Sequence, residues 1–245
     1  MKSPEGFATL LLLSLLPVIL AGGLLVFSAF SIFKTDLGTL NLCRARQLEI
    51  QNKVAKKLER LLKLNPQALK LRLAEARAQK ALALASKSAN AAAIAAAEAF
   101  LLKVQLQRRA LGLKQEALIS SANEDLASEG KELPRRLRQE WDFHSRAVKP
   151  WFEGTLHLGP RRIPSLAVAA DLKDAAPVYQ PVPGFEEAQA WSQTWEWDVR
   201  TASWARTFLK FQGRFERSCS TSIYSESTAW SAKLKKAKSL SKGFS

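Results

Sequence analysis

Residues that usually carry chemistry are scarce: two His, two Cys, one Met and two Tyr among 245 residues. His144 and His157 have no Cys or carboxylate at metal-ligand spacing, so the sequence offers no metal site. It also has no glycine-rich phosphate loop, nucleophile elbow or zinc-protease helix motif. Carboxylate pairs such as Glu186-Glu187 and Glu196/Asp198 read as solvated faces. No catalytic residue, cofactor or metal ligand is therefore assigned. Acid is short as well, with 22 Asp and Glu against 37 Lys and Arg and a formal charge of +15. The excess is spread along the chain apart from one run, Lys233 to Lys242. Spread charge suits a surface near polyanions or anionic lipid and selects none of them, so nucleic acid is not an expected partner.

Charge is missing altogether from Phe7 to Phe33, a stretch made mostly of Leu, Val, Ile, Phe and Ala. As a helix it reaches about 40 Å, more than the roughly 30 Å hydrocarbon core. In lipid a single segment must be helical, because its backbone groups can bond only to one another. Pro17 and Gly22-Gly23 are tolerated there. A cleaved secretory signal is the alternative, but its apolar region runs about 7–15 residues. The lipid bilayer is thus the first partner.

Beyond Lys34-Thr35-Asp36 and Gly38 the pattern turns helical again from about Leu40 to Leu64, with Val54, Leu58 and Leu61 on one face. Asn65-Pro66 interrupts it. A second helix is expected from Pro66 to about Leu126, through the alanine-rich segment Ala89–Ala99. Ile94, Leu101, Val104, Leu111 and Leu118 form its apolar seam, which predicts an antiparallel helical hairpin.

Past Pro134 the composition changes. All seven Trp and six of the ten Pro lie beyond residue 140. Strand character appears at 155–158, 163–169, 190–199, 208–215 and 220–224. The predicted class is α+β. Its divisions are a polar leader (1–6), a transmembrane helix (7–33), a hairpin stalk (34–130), and a Trp-rich domain with a small antiparallel sheet and a basic tail (131–245).

Two candidate constellations stay open at this level. Cys43 and Cys219 are either a disulfide or two unrelated buried thiols. Trp191, Trp195 and Trp197 alternate along a strand, and are either the core of a small domain or a platform that stacks on sugar rings.

The leader ends in Gly6, followed at once by Phe7-Ala8-Thr9-Leu10-Leu11 and, after the apolar run, by the Gln- and Arg-rich helix Arg44 to Asn52. This N-terminal quarter resembles TadE/TadG-like proteins of bacterial tight-adherence (Flp) pilus systems, which are single-anchor, pseudopilin-related proteins with bodies in the periplasm. The resemblance implies a single-pass protein of the bacterial inner membrane. It also implies a structural or assembly role without enzymatic activity, among other pilus or secretion-system membrane proteins or copies of itself. Gly6-Phe7 is similar to a prepilin cleavage junction, but Leu11 stands where most prepilins carry Glu. That departure fits an accessory or capping subunit, and minor tip pseudopilins of type II secretion are a second family with the same feature. An envelope glycan-binding module is the alternative function, and a cytoplasmic-facing scaffold is a third. The basic residues Lys34, Arg44, Arg46 and Lys53 by themselves favour a cytoplasmic body, whereas the resemblance implies a periplasmic one.

Overall fold

The computed structural model describes residues 4–88, 90–146, 149–172, 175–206, 210, 212–226 and 229–235, without the side chains of 4–12, 25 and 205. It is an α+β structure in which one helix leads from the apolar segment into the core. Helix α1 (Pro4–Lys63) is unbroken through Lys34-Thr35-Asp36 and Gly38, the expected boundary of the anchor. Two threonines smooth that passage, since Thr35 and Thr39 donate their hydroxyls to the carbonyls of Ser31 and Thr35, each at 2.8 Å. The N-terminal part of α1 is long and apolar enough to cross a membrane. From Ser28 onward one face of α1 is buried.

The chain does not reverse at Asn65-Pro66. Leu64 keeps a right-handed helical backbone, and helix α2 (Asn65–Lys87) runs on from α1 after this single-residue irregularity. Pro66 fits because the first helical positions need no N–H donor. Reversal comes at Ser88–Asn90. There the Asn90 side chain accepts the N–H groups of Ala92 and Ala93 and caps helix α3 (Ala91–Ser145). Helix α3 returns along α2 and then along α1, passing through Pro134. The seam residues Val104 and Leu111 are buried as expected, but the upper seam faces α2 while Leu58 and Leu61 meet the lower part of α3, near Ala122 and Leu126.

A four-stranded antiparallel sheet covers the α1–α3 pair, in the order β1 (Phe152–Arg162), β4 (Trp191–Thr201), β5 (Gln212–Glu226), β6 (Ala229–Leu234). A two-stranded ribbon, β2 (Val168–Ala170) with β3 (Tyr179–Pro181), and the short helix α4 (Phe185–Ala188) lie between β1 and β4. The expected strand 163–169 is mostly coil; 212–215 and 220–224 belong to the single strand β5, and residues 208, 209 and 211 of the expected strand 208–215 lie outside the described residues. Strand β6 lies outside the strands expected from sequence.

Alternation on β4 sets the core. Trp191, Gln193, Trp195, Trp197 and Val199 face the helices, opposite Thr221, Cys219, Arg217, Phe215 and Gly213 of β5. Trp197 packs on Trp141 of α3 with ring centroids 4.8 Å apart, and stacks on Phe215 at 4.4 Å. A buried Trp removes roughly 200 Å² from water, a gross gain of about 5 kcal/mol before entropy is charged against it. One apolar cluster joins α1, α3 and the sheet, so the boundary expected at residue 130 divides nothing.

Candidate functional site

The residues singled out from sequence distribute unevenly. Trp191, Trp195 and Trp197 are each 1% exposed, so their ring faces are occupied by protein. A sugar-stacking platform on these three is therefore excluded; they are the core. Glu196 is buried and paired with Arg214 across to β5, so it is no solvated carboxylate. Asp198 stays at the surface, 3.9 Å from His157. His144 bonds to Glu140 at 2.9 Å and lies against Gly38, where any side chain on α1 would press on the imidazole. Among the described residues no three of His, Cys, Asp and Glu converge as metal ligands. Gly6 and Phe7 fall in the first turns of α1, where side chains lie outside the described residues. Lys236, Lys238 and Lys242 of the basic tail also lie outside them, while Lys233 pairs with Glu226 and Lys235 with Glu187.

Cys43 and Cys219 are joined by a disulfide that ties α1 to β5 across 176 residues of chain, with Cα atoms 6.3 Å apart. It belongs to a ladder of contacts that climbs α1 and β5 together. Asp36 lies lowest, with 4% of its side chain exposed; it accepts from Arg217 Nε at 2.9 Å and from Trp197 Nε1 at 3.4 Å. The carboxylate raises the Arg217 pKa through that hydrogen bond, against a smaller opposing effect of burial. Gln47 then accepts from the Thr221 hydroxyl at 3.4 Å. Gln51 donates to the Gln189 carbonyl at 2.9 Å, and Asn52 accepts the Ala232 N–H at 2.9 Å. The Gln-rich character of this helix thus has a physical cause, since buried amides supply donors and acceptors to a sheet-facing helix.

The second feature is the arm formed by α2 and the first half of α3. It is held together by Ala68, Ala78, Val104 and Leu111, and by the buried ion pair of Glu75 with Arg108. Asp171 and the segment 175–178 brace its base. Arg72 grips the Asp171 carboxylate with both terminal nitrogens, at 2.8 and 3.2 Å, and Asp171 also accepts the Val178 N–H at 2.8 Å. These bonds, that of Arg72 first, hold the Asp171 pKa down at about 2. Above this brace the outer faces of the arm are open. On α2, Leu69, Leu73, Arg77, Lys80, Leu84 and Lys87 follow one another at helical spacing and are all exposed. On α3, Leu102, Leu106, Arg109 and Leu113 do the same. Both rows lie opposite the buried residues of their helix, so the arm offers two outward faces of leucine mixed with Arg and Lys.

No family model matches this chain, and neither a curated protein nor a solved structure does.

Proposed function

We propose that this chain is a membrane-anchored structural component of an envelope assembly of the pilus or secretion type, which holds a two-helix arm at a fixed height for helical partners. The observation that carries this reading is the continuity of α1 from a membrane-length apolar segment into the core and on into α2. From Ser28 to Lys87 such a rod is about 90 Å long. A stiff spacer that ends in a hairpin with two exposed leucine rows suits scaffolding, and the shortage of catalytic groups suits it too. The occupant we assign to the arm is a partner helix with acidic flanks. Exposed charges on the arm are Lys70, Arg77, Lys80, Lys87, Lys103, Arg109 and Lys114 against Glu98 and Glu116. Two such arms would repel each other, whereas acidic flanks complement them. The disulfide supports a body on the oxidising side of the membrane, the periplasm of a bacterium.

The test is site-specific photocrosslinking in the native cells, with p-benzoylphenylalanine in place of Leu84 or Leu106. Discrete adducts with an acidic helical membrane protein are expected at both positions and not at the buried Leu126. Adducts only between copies of this chain would replace the hetero-partner by self-assembly. Assembly that proceeds undisturbed in a chain with Leu84→Glu and Leu106→Glu would overturn the reading.

A further inference from the structure

The end of the body from which the anchor emerges is built from four separated pieces of chain. They are the last turn of α3, the start of β1, the end of β4 with its following 3₁₀ turn (Ser203–Ala205), and the start of β5. Hydrogen bonds fix them together: Ala202 N–H donates to the Trp151 carbonyl at 2.8 Å, and Trp204 Nε1 to the Pro150 carbonyl at 2.8 Å. The Trp151 and Trp204 rings lie 4.7 Å apart. A small cavity between this end and α1 is walled by Ile32, Thr35, Trp141, Ser145, Phe152 and Val199, among others, so the α3–β1–β4 end and the emerging anchor are neighbours.

The height of this end along α1 follows from the ladder of contacts. Asp36 pairs with Arg217, and the sheet continues downward five residues to Gln212, about 16 Å. The same drop along α1 ends near residue 26 at about 1.5 Å per residue. Burial of α1 by the body begins independently at Ser28. The apolar stretch left below, from Phe7 to Phe27, spans about 31 Å, the thickness of a hydrocarbon core. With that stretch across a bilayer, the base of the body lies at the level of the lipid headgroups.

Its surface chemistry fits that level. Trp204 is 54% exposed, which is costly in water and usual for an aromatic ring at a membrane interface. Phe30 and Phe33 are exposed at the same level on the far side of α1. Arg200, Arg206 and Lys210 line an open cleft with Thr201 and Gln212. Glu153 is the carboxylate in ion-pair contact with two of these cations, Arg200 at 3.3 Å and Arg206 at 3.6 Å. Lys34, Arg146 and Lys149 add exposed positive charge around the anchor, and Lys149 lies 3.5 Å from Asp142. Arg46, Lys53 and Lys57, by contrast, sit higher on α1 and are paired, Arg46 and Lys53 with Glu49 and Lys57 with Asp125 of α3.

We propose that this base is an anionic-lipid surface: Trp204 enters the headgroup layer, and Arg200, Arg206 and Lys210 hold lipid phosphates in the cleft beside it. The proposal rests on α1 spanning the membrane. It adds that the body is seated on the bilayer in one orientation, so that the arm points away from it. Tethering makes the contact intramolecular, and modest attraction per charge then suffices.

The test uses the full chain in nanodiscs of phosphatidylcholine alone and of phosphatidylcholine with phosphatidylglycerol, carrying p-benzoylphenylalanine in place of Trp204 or, as control, of Leu113. Illumination should give lipid adducts at 204 and none at 113, with a higher yield in the anionic discs. Arg206→Gln with Lys210→Gln should lower the anionic excess, about fivefold for each charge removed. Both side chains are exposed, and an intact disulfide with an unchanged circular dichroism spectrum shows that the variant is folded. Equal yields in both lipids, or equal yields at 204 and 113, would overturn the proposal. A chain that spans the disc, with a protease-protected anchor fragment, and gives no adduct at 204 overturns this proposal alone. A chain that does not enter the disc overturns the spanning reading with it.

Discussion

Asp171 shows how much a single carboxylate can hold in place. It joins a loop to α2 through Arg72 and closes the loop on itself through Val178, and its pKa of about 2 lies below the ordinary value near 3.8. Because the folded form binds its proton less readily than the unfolded chain, the stabilisation is complete above about pH 4. It is lost as the pH falls through about 2. Asp171→Asn should therefore lower the melting temperature at pH 7, and the gap to the wild type should close on acidification between pH 4 and pH 2, as read by thermal melts across that range. A gap that does not change with pH would mean that the carboxylate contributes shape and not charge. The same loop explains Gly112. A methyl group there would run into the Ala175 carbonyl, so the helix can carry no side chain where the loop crosses. In an exposed helix, Gly→Ala gains about 1 kcal/mol. Here overpacking, typically about 1–3 kcal/mol, works against that gain. Gly112→Ala should thus destabilise the protein by about 1 kcal/mol in urea unfolding; stabilisation would mean that the loop moves aside freely.

Elements were legible where a period carried them. Trp191 to Val199 alternate with period two because one sheet face meets the helices, and the seam through Val104 and Leu111 repeats as a helix does against its neighbour. The misreadings were places where a local signal has two physical outcomes. Pro66 can end a helix or sit in its first turn, and here it does the latter, so the reversal moved to Asn90, whose capping role is indistinct inside an alanine run. Lys34-Thr35-Asp36 looks like the end of an anchor, yet Asp36 finds its partner Arg217 181 residues away, a pairing no local pattern announces. That pair makes an asymmetric prediction. Arg217 is partly exposed and can return to water when Asp36 is replaced, whereas Asp36 is buried and, among the described residues, is left with Trp197 Nε1 when Arg217 is replaced. Stranding a buried charge is the costlier change, at about 3–5 kcal/mol for a fully buried pair and less here, because the arginine side is open to solvent. Arg217→Met should therefore cost more than Asp36→Asn. The double variant should be more stable than Arg217→Met alone, as measured in a double-mutant cycle of urea unfolding. Equal single costs would remove the argument that Asp36 is the buried partner.

At the scale of the whole molecule, the membrane-length apolar segment and the body are not two units joined by a linker, because the same helix belongs to both. The body claims α1 from Ser28, with Ser31, Thr35 and Asp36 buried and Ile32 packed against the core, whereas the uncharged segment extends to Phe33. The sequence alone places the boundary between 33 and 34, since only charge marks it there. The two positions predict different behaviour on truncation. A soluble chain that begins at Asp36, exported behind a foreign signal so that Cys43 and Cys219 can oxidise, would lack Ile32 and Thr35. Trp141, Phe152 and Trp197 would then be open to water on that side. Partly burying an aliphatic side chain and completing the last buried turn of α1 together contribute about 2–3 kcal/mol. The disulfide closes a loop of 176 residues, and by chain entropy contributes about 5 kcal/mol to either version. Both should therefore fold when oxidised. The version starting at Ser28 should melt several degrees higher than the one starting at Asp36, and the shorter one should also show redder tryptophan emission. Under reducing conditions the loss should fall on a smaller margin, so the shorter chain should unfold at a clearly lower urea concentration than the longer. Identical melting and emission from the two chains would return residues 28–35 to the apolar segment and remove the argument that the body begins at Ser28.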